Sequence, residues 1–176
     1  MRKARQRRRV RPRVTGVTRV TRVTGRGDRV EWTLEPADTA AVPRLRRQIM
    51  RVLARVADPG ADLMATEIVV GELLSNALAH TSGRAWISLR WDGVHPLLSV
   101  ADLGPGFAAA LSGSGGGRTD LVRADRTLVA RLPQDPLAEG GRGLFLVASL
   151  ALDVAIASRS TGGTVVSVTL DLQRAS

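Results

Sequence analysis

The sequence predicts an α+β domain, a two-layer α/β sandwich in which a mixed sheet of about five strands carries helices on one face. Three observations favour this fold class. Five short segments have the pattern of strands, three segments have the periodicity of helices, and 44% of the 176 residues are apolar, enough for a packed core. The chain has no cysteine and only two histidines, which excludes a disulfide scaffold and argues against a zinc site.

The net charge of +10 resides in the first 28 residues. They hold eleven basic residues against one acidic residue, whereas residues 29–176 hold fifteen arginines and fifteen acidic residues. We therefore expect residues 1–28 to form a disordered basic tail and residues 29–176 to form the folded domain. Binding of nucleic acid would depend on that tail. The sequence lacks a segment resembling a membrane span or a signal peptide, so we expect a cytoplasmic protein without membrane contact.

The elements follow one another along the chain from residue 29 to residue 171. Alternating or apolar runs bounded by turn residues predict the strands 29–34, 85–91, 97–102, 153–159 and 164–171. Apolar residues at spacings of three and four predict the helices 43–56, 62–80 and 144–150. Asp62 is a suitable N-cap for the second helix, and the turns Asp92-Gly93 and Thr161-Gly162-Gly163 close two pairs of strands.

A segment rich in glycine and charged residues, 107–140, interrupts this pattern. Its scattered charges and two prolines argue against a buried element. We expect it to form a long mobile loop with a short helix near residues 121–132. A loop of that length in a compact domain is usually functional.

Three polar residues share one face of the predicted helix 62–80. Glu72, Asn76 and His80 follow one another at a spacing of four, beside the apolar stripe of the same helix. On spacing alone they are ordinary residues at the boundary of the core. Their significance depends on the glycine motifs that follow downstream.

The first glycine motif, Asp102-Leu103-Gly104-Pro105-Gly106, ends a strand. Glycines at this point allow a backbone to approach a ligand closely, and the aspartate can accept a hydrogen bond from an amino group. A simple Asp-Gly turn is the alternative interpretation. A dinucleotide fingerprint starting at Gly104 is disfavoured because no β–α–β unit follows it.

Two further glycine motifs lie near the C-terminus. Gly141-Arg142-Gly143-Leu144 leads into a helix, whose free N–H groups and dipole favour a phosphate, and the arginine adds positive charge. A Walker A loop is excluded because the chain has no Gly-Lys-Ser or Gly-Lys-Thr. Gly162-Gly163-Thr164 opens the last strand and by itself indicates only a turn.

The order of these motifs resembles that of the histidine-kinase-like ATPase (GHKL) superfamily. E-x-x-x-N on a helix, D-x-G-x-G after a strand, G-x-G-L at a helix start and G-G-T before the last strand occur in that order, and the resemblance covers residues 29–172. Within the superfamily, GELLSNALAHTSG and AEGGRGLFLVASLA are similar to the small bacterial anti-sigma-factor serine/threonine kinases of the actinobacterial type. The segment 107–140 is longer than the lid of such kinases, and the basic tail has no counterpart in them.

The resemblance implies a site for ATP with Mg²⁺ in an ATP-binding kinase-like domain spanning residues 29–176. Glu72 would be the general base for a serine hydroxyl, Asn76 would hold Mg²⁺ against the phosphates, and Asp102 would bind the adenine amino group. His80 would border the site without a catalytic role. Further residues would shape the nucleotide pocket, close the lid or lie near the adenine: Gly104, Gly106, Gly141, Arg142, Gly143, Leu144 and Thr164.

The resemblance also implies a function, that of an ATP-dependent serine/threonine protein kinase that regulates transcription by partner switching. It would bind a sigma factor and phosphorylate an anti-anti-sigma protein, and a homodimer is compatible with this role. The first alternative is a non-catalytic ATP-binding module that sequesters a partner. The second is the catalytic domain of a sensor histidine kinase, which is disfavoured because no phosphoacceptor helix pair precedes the domain. The third is nucleic-acid binding through the tail.

Overall fold

The computed structural model describes residues 21–25, 27–35, 40–81, 83–91, 93–104, 121–124, 127–130, 142–159 and 162–175. The strands in these ranges are β1 (Thr21–Gly25), β2 (Gly27–Leu34), β3 (Ala85–Trp91), β4 (Leu97–Ala101), β5 (Leu121–Ala124), β6 (Thr127–Ala130), β7 (Ala151–Ser158) and β8 (Thr164–Leu170). The helices are α1 (Ala41–Val56), α2 (Leu63–His80) and α3 (Arg142–Leu150). None of the helices in the described ranges has the length and apolar character that crossing a membrane requires.

Six strands form one sheet in the order β1-β2-β3-β4-β8-β7. The α+β class with helices on one face is confirmed, but every neighbouring pair is antiparallel, so the expected mixed strand directions are corrected. Short turns join β3 to β4 and β7 to β8, and such turns require antiparallel pairing. Two helices, α1 and α2, lie between β2 and β3, and these two strands run in opposite directions. A crossover between parallel strands usually contains a single helix.

The core lies between the sheet and the helices. Alternate residues of β3, such as Ile87 and Leu89, are buried, whereas Trp86 and Ser88 on the opposite face are half-buried. The buried residues of α1 recur at a spacing of four and belong to the same core: Ala41, Leu45, Ile49 and Leu53. The helices therefore cover one face of the sheet and leave the other face partly accessible.

Part of the predicted tail belongs to the sheet. Residues 21–25 form β1, which pairs with β2 from Thr21 opposite Glu31 to Gly25 opposite Gly27. The expectation of disorder through residue 28 is therefore wrong for these residues. Val23 and the two threonines favour a strand, and the edge of β2 offers unpaired backbone groups for it. Residues 1–20 lie outside the described residues.

The segment 107–140 also differs from the expectation where it is described. β5 and β6 form an antiparallel hairpin in place of the short helix expected near residues 121–132. Runs of four residues show too little periodicity to distinguish a helix from a strand, and their valine and threonine content favours a strand. The remainder of this segment lies outside the described residues.

Candidate functional site

Helix α2 presents Glu72 and Asn76 on one face, one turn apart. The side chain of Asp62 caps the helix by accepting hydrogen bonds from the N–H of Met64 at 2.9 Å and of Ala65 at 3.2 Å. This cap satisfies two N–H groups of the first turn and so marks where the helix begins. The apolar neighbours of Glu72 and Asn76 are buried, while these two side chains are half-buried. Both polar groups therefore lie at the edge of the core, as their spacing predicts.

The N-terminal turn of α3 lies against this pair of side chains. A Cβ atom on Gly143 would overlap Oε2 of Glu72 and would lie 3.6 Å from Nδ2 of Asn76. Glycine at this position therefore allows α3 to approach α2 closely. The first N–H groups of a helix have no partner within it, and its N-terminal end carries partial positive charge. A carboxylate, an amide and a helix end suited to anions thus meet at one place.

The end of β4 forms the second part of the site. The N–H of Asp102 donates to the carbonyl of Thr164 at 2.9 Å, and Oδ1 of Asp102 accepts a hydrogen bond from the N–H of Gly104 at 2.7 Å. Gly163 has a φ of +91°, and a Cβ atom on it would overlap the carbonyl oxygen of Asp102. Backbone contacts therefore hold the D-x-G motif against the G-G-T motif, although they lie far apart in the sequence.

The helix that carries Glu72 and Asn76 ends against the second part of the site. A Cβ atom on Gly83, just after α2, would lie 3.6 Å from Cδ1 of Leu103 and 3.7 Å from its Cβ. The loop that follows α2 therefore contacts the segment directly after Asp102. Helix α2 and the end of β4 therefore bring Glu72, Asn76 and Asp102 into the same region of the domain.

Several of the residues predicted to form the site are only partly described. Gly106 and Gly141 lie outside the described residues, and only the backbone of His80 and Arg142 is described. Their roles stay predictions. Leu144 is half-buried and packs against the hydrophobic core, so any contribution it makes to a phosphate site would come from its backbone.

Two residues of the site carry little signal in the sequence. Gly162-Gly163 predicts positive φ values in a short hairpin, but nothing local indicates that Gly163 contacts Asp102. Arg159 is one of many arginines, yet its guanidinium donates a hydrogen bond to the carbonyl of Asp102 at 3.4 Å. Both contacts depend on the pairing of strands that are distant in the sequence.

The amide oxygen of Asn76 is the kind of ligand that a magnesium ion arriving with phosphates would take. No cluster of three acidic or histidine side chains that could hold a metal occurs in the described part of the chain. Mg²⁺ prefers oxygen ligands and is usually bound by one or two protein groups together with water and substrate phosphates. The amide oxygen of Asn76, next to a helix end that favours anions, fits that mode of binding.

Comparison with known proteins agrees with this arrangement of motifs. A family model of the histidine kinase-like ATPase domain matches residues 35–170, most of the chain. A search of the curated proteins gave no match. The matched range includes all the site residues described above, from Glu72 in α2 to Thr164 in β8.

Proposed function

The chain belongs to the family of histidine kinase-like ATPase domains, and on that basis we propose that it binds ATP with Mg²⁺ and transfers the γ-phosphate to a partner protein. The observation that carries this proposal is the packing of Gly143, in the first turn of α3, against Glu72 and Asn76. A carboxylate and a carboxamide from one helix then border the position that the terminal phosphate of a nucleotide would occupy.

Asp102 is the residue proposed to recognise adenine. Its carboxylate can accept a hydrogen bond from the exocyclic amino group, and it retains acceptor capacity beyond the bond from Gly104. Thr164 and Gly163 hold its main chain in place. The N–H groups at the start of α3 bind the phosphates, and Asn76 holds the metal. Mg²⁺, when bound, neutralises charge on the phosphates.

Glu72 is the residue proposed to accept the proton of the attacking hydroxyl. In the transfer step, the hydroxyl oxygen of a serine or threonine forms a bond to the γ-phosphorus. The bond from that phosphorus to the β–γ bridging oxygen breaks, and ADP leaves with the electron pair. The hydroxyl proton passes to the Glu72 carboxylate. The place of Glu72 one turn before Asn76 keeps this base beside the phosphates.

The finer role proposed is that of an anti-sigma-factor kinase that regulates transcription by partner switching. It binds a sigma factor and phosphorylates an anti-anti-sigma protein. Support comes from the resemblance of the segments that contain Glu72 and Gly143 to such kinases. A non-catalytic ATP-binding module is the alternative, and the half-buried Glu72 beside α3 favours the kinase, because such a module does not need a carboxylate there.

Incubation with labelled ATP and candidate anti-anti-sigma proteins tests the proposed reaction. We expect label on one serine or threonine of one candidate. ATP binding without transfer to any of these proteins would favour the non-catalytic module instead.

The substitutions Asp102→Asn and Asn76→Ala are each expected to weaken ATP binding about tenfold or more. Asp102→Asn replaces a charged acceptor with a neutral amide, and Asn76→Ala removes the side chain proposed to hold Mg²⁺. A hydrogen bond to a charged group contributes about 1.5–3 kcal/mol. Isothermal titration calorimetry with ATP and Mg²⁺ measures the change. Asp153→Asn is a matched control, because Asp153 is exposed on β7. Absence of nucleotide binding by the wild-type protein would refute the proposed function.

The substitution Gly143→Ala is expected to displace the Glu72 carboxylate without unfolding the domain. The new Cβ meets the far end of a flexible side chain, and the φ of Gly143 lies outside the left-handed range that favours glycine. We expect the melting temperature to stay near that of the wild type while phosphoryl transfer slows about tenfold or more, because reacting groups tolerate little misplacement.

Gly93→Ala is the control for this substitution, since no atom lies within 4 Å of a Cβ atom placed there. Thermal unfolding and the transfer assay are measured for both variants. Wild-type transfer by Gly143→Ala would mean that the close approach of α3 to Glu72 is not needed for the reaction.

A further inference from the structure

Arg159 reaches the proposed adenine site from the edge of the sheet. It directly follows β7, which β8 separates from β4. Its Nη1 nevertheless donates a hydrogen bond to the carbonyl of Asp102 at 3.4 Å. The side chain therefore spans β8 to contact the residue that follows β4.

The guanidinium of Arg159 also lies over the ring of Trp86, 5.1 Å from the ring centroid. Trp86 pairs with Ala101, the last residue of β4, so the ring stands beside the start of the D-x-G motif. The face of an aromatic ring attracts a cation, and a planar guanidinium can lie on that face while its edge donates hydrogen bonds. Trp86 thus holds the guanidinium in the orientation that its contact with Asp102 requires.

The backbone of Arg159 closes the hairpin that contacts Asp102. Its N–H donates to the carbonyl of Gly163 at 3.1 Å, and its carbonyl accepts a hydrogen bond from the N–H of Gly162 at 3.1 Å. Gly163 in turn packs against the carbonyl of Asp102. The N–H of Asp102 donates a hydrogen bond to the carbonyl of Thr164. Both main-chain polar groups of Asp102 are therefore held by one hairpin, and Arg159 contributes to it with backbone and side chain.

We propose that Arg159 is a positioning residue that orients the Asp102 carboxylate for recognition of an amino-bearing purine. The inference rests on the proposed function, because it assumes that Asp102 reads the base of a nucleotide. The position of the main chain of Asp102 limits where its carboxylate can lie. A fixed main chain therefore allows the carboxylate to meet the amino group of the base without reorganisation. Arg159 therefore acts on the choice of base, through Asp102, without touching the nucleotide.

The test compares the affinities for ATP and for ITP, which carries a carbonyl oxygen in place of the amino group. Calorimetry with Mg²⁺ is carried out on the wild type, Arg159→Met and Arg159→Lys. We expect Arg159→Met to weaken ATP binding about fivefold and to leave ITP binding unchanged, which corresponds to loss of about one well-oriented hydrogen bond. Arg159→Lys retains the charge but lacks the planar fork, so its ratio of affinities should lie between those of the other two proteins.

Arg84→Met is the matched control, because it removes the same charge from a different place. Arg84 is exposed and forms its ion pair with Glu35, at 2.6 Å, rather than a contact with Asp102. Its ratio of ATP to ITP affinity should equal that of the wild type. An unchanged ratio in Arg159→Met, or an equal loss of ATP and ITP binding, would overturn the inference. If Arg159→Met does not fold, the ratio in Arg159→Lys decides. Absence of ATP binding by the wild type would instead overturn the proposed function itself.

Discussion

Glutamine in place of Glu72 is expected to slow phosphoryl transfer about 100-fold or more while ATP binding stays close to that of the wild type. Glutamine keeps the size of glutamate and much of its hydrogen-bonding capacity, but its amide cannot take up the proton of the attacking hydroxyl. Gly143 packs against this side chain, and an isosteric residue preserves that packing. A single-turnover assay with labelled ATP and the unphosphorylated partner measures the rate of transfer, and calorimetry with ATP measures binding.

Glu67→Gln is the control for Glu72→Gln. Glu67 is an exposed glutamate on the same helix, so its substitution changes the net charge of α2 equally without changing the site. Its rate of transfer should match that of the wild type. If Glu72→Gln transfers phosphate at the wild-type rate, Glu72 is not the base.

Alanine in place of Gly163 is expected to lower the free energy of unfolding by about 2–5 kcal/mol. The φ of +91° costs an L-residue about 1–2 kcal/mol. The new Cβ would also overlap the carbonyl oxygen of Asp102 and lie 3.0 Å from Cα of Leu103. These are backbone atoms of the two residues that follow β4 and cannot rotate away, so overpacking adds about 1–3 kcal/mol.

The neighbouring glycine separates the two contributions. Gly162 has a φ of +86°, but no atom lies within 4 Å of a Cβ atom placed there, so Gly162→Ala incurs only the backbone cost. Denaturant unfolding of the wild type and both variants gives the difference. We also expect Gly163→Ala to weaken ATP binding, because Asp102 must move. Equal destabilisation by the two substitutions would show that Gly163 does not press on Asp102.

Features with a local physical cause could be predicted from the sequence. Glu72 and Asn76 share a face because the α-helix repeats every 3.6 residues. Asp62 marks the start of α2 because its short side chain satisfies the free N–H groups of the first turn. The limits of β3 follow from alternation of buried and half-buried residues and from the turn that comes after it. In each case the interacting groups lie within a few residues of one another.

Short segments were predicted less well. β5 and β6 have four residues each, which is too few to distinguish a strand from a helix. β1 lies in a basic stretch whose composition predicts an unstructured tail. β1 exists as a strand because it pairs with β2, and β5 because it pairs with β6. The neighbouring strand, rather than the segment itself, determines the conformation.

The longer helices and strands, the order of the motifs and the polar face of α2 can therefore be predicted from local sequence. Only the tertiary structure decided which distant groups touch: Gly143 with Glu72, Gly163 with Asp102, and Arg159 with both Asp102 and Trp86. These contacts arise from the packing of α3 on α2 and from the register of β8 between β4 and β7. Strand register and helix packing both result from hydrogen bonds and side-chain burial summed along whole elements, so no short stretch of sequence contains the cause of these contacts.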